Sequence, residues 1–158
     1  MKVEKGQFLV LQEQNEELET ETLGACVALA ARDREKKIIG LWVFVLPAEK
    51  ILNPKVGGVP QTFFAAEGID IFLEALEKAG AEREKLEFFA AGGARFLEAP
   101  TVFDLGGLNA SMLRKLLKDR GLTLKAEVCG RPFPCRMFVN GKEAMITVKI
   151  SGEEEETW

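Results

Sequence analysis

Three consecutive stretches decide the fold: Cys26 to Ala31 (CVALAA), Arg32 to Lys37 (RDREKK) and Ile38 to Leu46 (IIGLWVFVL). Two apolar runs flank a short, wholly charged segment, and this pattern predicts a β-hairpin. Pro47 ends the second strand because it cannot donate to a ladder. A turn centred between Arg34 and Glu35 places Cys26 opposite Val43. Directly opposed residues have Cβ atoms roughly 4.5–5.5 Å apart, so these two side chains are expected to touch.

Working outward, Gln7 to Gln12 reads as a short strand and the acidic stretch Glu13 to Glu19 as a loop. Asn53 to Gln61 (NPKVGGVPQ) is rich in Gly and Pro and reads as a loop. Ile69, Phe72, Leu73, Leu76 and Ala79 have helical spacing, so Gly68 to Ala79 is predicted as an amphipathic helix. Gly80 stops it. Leu86 to Ala91 reads as a buried strand that ends in Gly92-Gly93. A second helix is predicted over Ala110 to Arg120, with Asn109 as its N-cap. Leu122 to Val128 reads as a strand. Arg136 to Ile150 reads as a final hairpin turning at Asn140-Gly141, a strong hairpin signal. Residues 1–152 are expected to form one domain. Residues 153–158, with the like-charge run Glu153 to Glu156, are expected to form a disordered acidic tail. The fold class is therefore α/β: a mixed, mainly antiparallel sheet architecture with two helices.

Composition excludes several functions. The chain has 158 residues, a net charge of -4 and no histidine. The acidic balance offers no electrostatic footprint for nucleic acid. No apolar run reaches the roughly 18 residues needed to span a bilayer. The N-terminus lacks a signal-peptide core, and a soluble cytoplasmic protein is the expectation. Without histidine there is no Ser-His-Asp or Cys-His arrangement and no imidazole for zinc. The three cysteines, Cys26, Cys129 and Cys135, suggest neither a disulfide framework nor a metal centre. No cofactor is expected. Gly92-Gly93 and Gly106-Gly107 lack the spacing of a nucleotide fingerprint. Each reads either as a turn or as a backbone donor nest.

Several segments together resemble the CheD family of chemoreceptor glutamine deamidases. Thr20 to Leu29 (TETLGACVAL) is similar to the family stretch that holds a nucleophilic cysteine and a nearby threonine. Gly40 to Pro47 (GLWVFVLP) resembles the family's GLAHFLLP strand, with Val43 at the histidine position. Leu86 to Ala94 and Asp104 to Asn109 are similar to its LEAKxxGGA and IGxRN stretches, in the same order. Glu127 to Gly130 and Arg136 extend the likeness, which covers roughly Gln7 to Ile150. Other departures are Ala66 for an aspartate, Phe89 for the lysine of LEAK and Leu108 for the arginine before Asn109.

The resemblance implies sheet layers covered by helices, as in a CheD-like cysteine hydrolase. It implies hydrolysis of a receptor glutamine side-chain amide to glutamate, with Cys26 as nucleophile and Thr20 beside it. Gly92, Gly93 and Asn109 would contact substrate and form one wall of a shallow pocket near Cys26. The implied partners are chemoreceptor cytoplasmic helices and a chemotaxis phosphatase. The same comparison implies weak or lost activity, because Val43 can pack against a thiol but cannot move a proton. The alternative is a protein that binds such partners without turnover. Cys26 itself reads equally as a small buried hydrophobe, and Thr20 as a loop hydroxyl.

Overall fold

In the computed structural model, which describes residues 1–13, 15–51, 57–95, 104–152 and 155–158, the chain forms ten strands and two α-helices. The strands, in chain order, are β1 (Lys2–Val3), β2 (Phe8–Gln12), β3 (Glu17–Thr20), β4 (Val27–Asp33), β5 (Ile38–Phe44), β6 (Glu87–Gly92), β7 (Leu124–Cys129), β8 (Cys135–Asn140), β9 (Met145–Ile150) and β10 (Glu156–Thr157). The helices are α1 (Ala65–Lys78) and α2 (Leu105–Asp119). Every residue of β4 and β5 is buried, so this hairpin must be covered on both faces. One sheet has the order β2-β5-β4-β6-β7 and the other β1-β3-β8-β9-β10. Among the described strands, β1–β3 and β6–β7 pair in parallel and the other pairs are antiparallel. The architecture is α/β, mixed and mainly antiparallel, as expected.

Strand alternation divides the core. Val27, Leu29, Trp42 and Phe44 face one way and pack with Ile69, Phe72, Leu73, Leu113 and Leu117 of the two helices. Cys26, Ala28, Ala30, Leu41 and Val43 face the other way and pack with Met137, Val139, Ile146 and Val148 of the second sheet. The result is three layers: helices, sheet, sheet. Two glycines set how closely α1 approaches. A Cβ at Gly68 would lie 2.5 Å from the Trp42 ring, and one at Gly40 would lie 2.9 Å from Leu76. The Trp42 indole N–H donates to the Thr62 carbonyl at 2.8 Å, which satisfies the buried polar end of the ring.

The hairpin forms, but its register differs from the expected one. Asp33 pairs with Ile38 and Ala28 with Val43, leaving a four-residue turn, Arg34 to Lys37. The cause is Asp33, whose buried carboxylate accepts from the Lys36 and Glu82 backbone N–H groups at 3.1 and 2.9 Å. Those bonds hold Asp33 in the strand and lengthen the turn. The register moves by two residues, so the faces are unchanged. Cys26 and Val43 become diagonal neighbours on one face, a spacing of roughly 7–8 Å that long side chains still bridge.

Three other expectations change. The acidic stretch read as a loop contains β3, because Leu18 and Thr20 alternate inward while Glu17 faces solvent. Helix α1 begins three residues early, at Ala65. In the tail, residues 153–154 lie outside the described residues, and Glu156 and Thr157 form a strand that pairs with Val148 and Thr147. Trp158 overrides the repulsion of the charge run. Its ring stacks on Phe89 with centroids 5.5 Å apart. The Arg32 guanidinium lies over Phe89 and donates to the Trp158 carbonyl at 3.0 Å. The expected Asn53 to Gln61 loop falls partly outside the described residues; Gln61–Phe63 form a short 3-10 turn.

Arg32 and Arg34 also donate to Glu87, each at 3.0 Å, and Lys125 donates to its other oxygen. Burial pushes the Glu87 carboxyl up, but these three cations outweigh it and hold it at about 2. Its contribution to stability is therefore complete above the ordinary glutamate range and is lost as pH falls toward about 2. Glu87→Gln should lower stability at neutral pH and flatten this part of the acid transition, followed by urea titration at several pH values. Trp158→Ala should cost about 1–3 kcal/mol in the same assay; an unchanged midpoint would mean that the C-terminal strand does not hold the sheet edge.

Candidate active site

Cys26 immediately precedes β4 and is 8% exposed. Its side chain belongs to the apolar cluster with Ala28, Val43, Ala91, Val128 and Cys135. Backbone contacts fix this corner. The Gly93 N–H donates to the Cys26 carbonyl at 2.9 Å, and the Ala94 N–H donates to the Gly24 carbonyl at 2.9 Å. Gly92 has φ 108, and a Cβ there would lie 2.2 Å from the Cys26 oxygen. Only glycine fits a position both left-handed and that close to a neighbouring carbonyl.

Asn109 completes the corner. The structure places it inside α2 rather than at the helix start. The cap is Asp104, whose carboxylate accepts from the Gly107 N–H at 3.0 Å. Gly106 opens the helix because its backbone lies against the Gly93–Ala94 turn: a Cβ there would be 2.4 Å from the Ala94 oxygen. One turn later, the fully buried Asn109 amide donates to two carbonyls, Ala25 at 2.9 Å and Val45 at 2.8 Å. It therefore ties the residue before Cys26 to the strand end across the hairpin. Its own oxygen is buried without a hydrogen-bond partner among the described residues.

Burial disfavours the thiolate at all three cysteines. Burial raises Cys26 above its ordinary value, with Lys5 and its own backbone N–H pulling weakly down. Burial pushes Cys129 up to about 12, and Cys135 up to about 11 although the Gly92 N–H draws it down. Thr20 lies at the end of β3, fully buried, and its hydroxyl oxygen accepts from the Met137 N–H at 3.1 Å. That oxygen is used to join β3 to β8.

The structure thus brings together Cys26, Val43, Gly92, Gly93 and Asn109, and places Thr20 in the neighbouring sheet. A cleft of about 560 Å³ is lined by Gly93, Arg95, Asp104, Leu108 and Arg114 among others. Of the expected pocket wall, Gly93 reaches this cleft, while Asn109 is sealed behind it. Phe89 stacks on Trp158 and pairs with Ala30 in the middle of β4. Leu108 is 43% exposed at the cleft. No helix among the described residues is long and apolar enough to cross a membrane.

Residues 45–150 match the family model described as CheD chemotactic sensory transduction. The chain belongs to the CheD family. Among curated relatives, a probable chemoreceptor glutamine deamidase of Ralstonia pickettii is 33% identical over 153 residues, 94% of this chain and 61% of that protein. One from Solibacter usitatus is 35% identical over 113 residues, 72% and 66% of the respective chains. One from Methanococcus vannielii is 33% identical over 132 residues, 83% of each chain. The chain thus spans less than two thirds of the first two relatives and most of the third. The CheD model match starts after Cys26, but an alignment covering 94% of the chain leaves too few residues outside it to omit Cys26.

Sequence reasoning missed the clamp made by Asn109, although Asp104 three residues before Gly107 is a capping signal that would have moved the helix start. Asn109→Ala should cost about 1–3 kcal/mol by leaving two buried carbonyls unpaired. Asn109→Asp should cost more at neutral pH, because a carboxylate would then face both oxygens. Equal stability of the two variants in urea titration would mean that the amide is not the clamp.

Proposed function

We propose that this chain is a chemotaxis protein of the chemoreceptor glutamine deamidase type in which hydrolysis through Cys26 is weak or lost. The observation that carries the reading is the face Cys26 shares with Val43. At the position of the family's histidine the chain presents an alkyl group, and no histidine exists elsewhere in the sequence. Deamidation needs a thiolate to attack the side-chain amide, a group to take the thiol proton and deliver it to departing ammonia, and donors for the oxyanion. Cys26 would supply the sulfur, and Gly92, Gly93, Asn109 and Thr20 stand at the other family positions. The proton-transfer group is missing. The partner on this reading is a chemoreceptor cytoplasmic helix.

The raised Cys26 thiol favours a second reading, binding of a receptor helix or a chemotaxis phosphatase without turnover. One assay separates them: a glutamine-bearing receptor fragment is incubated with wild type, Val43→His or Cys26→Ala and scored for the mass change of deamidation. Wild type should turn over slowly or not at all. Val43→His should raise the rate, by up to about 10²–10⁴-fold for a well-placed base. Rapid wild-type turnover abolished by Cys26→Ala would overturn the loss of activity.

A further inference from the structure

The outer face of α2 leaves apolar surface uncovered. Leu108, Met112 and Lys115 follow one another at i, i+4 and i+7 on that helix, a spacing that sets them in one row. Opposite the row runs the segment that follows β5. Pro47, Ala48 and Ile51 of this segment, with Leu108 and Met112 of the helix, line a groove of about 540 Å³. Pro47 and Ala48 are buried, whereas Leu108 is 43% exposed.

Both walls are fixed. The Pro47 carbonyl accepts from the Ala66 N–H at 3.0 Å, and the Glu49 N–H donates to the Glu67 carboxylate at 2.8 Å, so the segment is tied to the first turn of α1. The Ile51 N–H donates to the Ala48 carbonyl at 3.2 Å. On the other wall, Asn109 follows Leu108 and holds α2 to the Ala25 and Val45 carbonyls. Pro47 has no N–H, and these other backbone groups are already bonded. The groove therefore presents side chains and no strand edge, which fits a docked helix and not an added strand.

Its charge is one-sided. Lys50 and Lys115 line the groove, and no acidic side chain does among the described residues, although the whole chain carries a net charge of -4. Lys115 donates to Asp119 at 2.7 Å. Both side chains of that pair are more than half exposed, so it holds weakly and can exchange for another carboxylate.

We propose that this groove docks one amphipathic helix of a chemoreceptor cytoplasmic region, with its apolar face on Leu108, Met112 and Ile51 and an acidic flank toward Lys50 and Lys115. The row from Leu108 to Lys115 rises about 10 Å along α2, so about two turns of the partner cover it. The inference rests on the reading that the partner is a chemoreceptor helix, and adds where that helix sits and what its two faces carry.

The test is binding of a fluorescently labelled, helical chemoreceptor cytoplasmic fragment to the full chain, followed by anisotropy at low and high salt. Leu108→Glu should weaken binding about tenfold or more, because it sets a carboxylate in the apolar row. Leu108→Ser, which adds no charge, should weaken it about threefold. Lys50→Glu combined with Lys115→Glu should weaken it about threefold to tenfold at low salt and less at high salt. Met145→Glu, at an exposed methionine of β9, should bind as wild type does. Wild-type affinity in both Leu108 variants overturns the groove and leaves the receptor reading standing. So does a loss in Met145→Glu equal to that in Leu108→Glu. A wild-type chain that does not bind the fragment overturns both.

Discussion

The two hydrogen bonds from the Asn109 amide to the Ala25 and Val45 carbonyls hold the candidate site together. A hairpin is weakest at its open end, where the strands diverge and ladder bonds run out. Cys26 sits at that end. An amide from a helix packed across the sheet pins both strands there, and the Gly93 N–H pins the Cys26 carbonyl from the third strand. The close approach of α2 that makes this reach possible depends on Gly106 lying against the Gly93–Ala94 turn. Helix, turn and hairpin thus fix one another, and Cys26 is positioned by their backbones.

Much of this architecture was legible from residue pattern alone. Alternation and apolar runs located β4, β5 and β6, and helical spacing located α1 and α2. What stayed hidden depended on partners distant in sequence. The register could not be read because Asp33 lengthens the turn by bonding to Glu82, which comes from beyond α1. The role of Asn109 was hidden because a residue near a helix start reads as a cap, whereas this one reaches across to two strands. The C-terminal strand was hidden because a run of glutamates reads as solvated chain. Its docking depends on Arg32 and Phe89, two strands of the other sheet. Phe89 itself looked like damage to a polar site but serves as the platform for Trp158.

On the proposed reading, this corner holds a sulfur without the chemistry to activate it. Geometry and electrostatics diverge here. Gly92, Gly93 and the Asn109 clamp fix the backbone around Cys26, while Val43 presents an alkyl group on the same face. Burial disfavours the thiolate. On that reading, proton transfer acts with the nucleophile as a unit, and loss of one member removes most of the rate.

Titration of the Cys26 Cβ resonance in protein labelled with carbon-13 at cysteine tests this account most directly. Because it observes the thiol itself, it separates Cys26 from Cys129 and Cys135 without any substrate. The account predicts a midpoint above that of a free cysteine, about 8.5. A midpoint below that value, approaching neutrality, would show an activated nucleophile and contradict it.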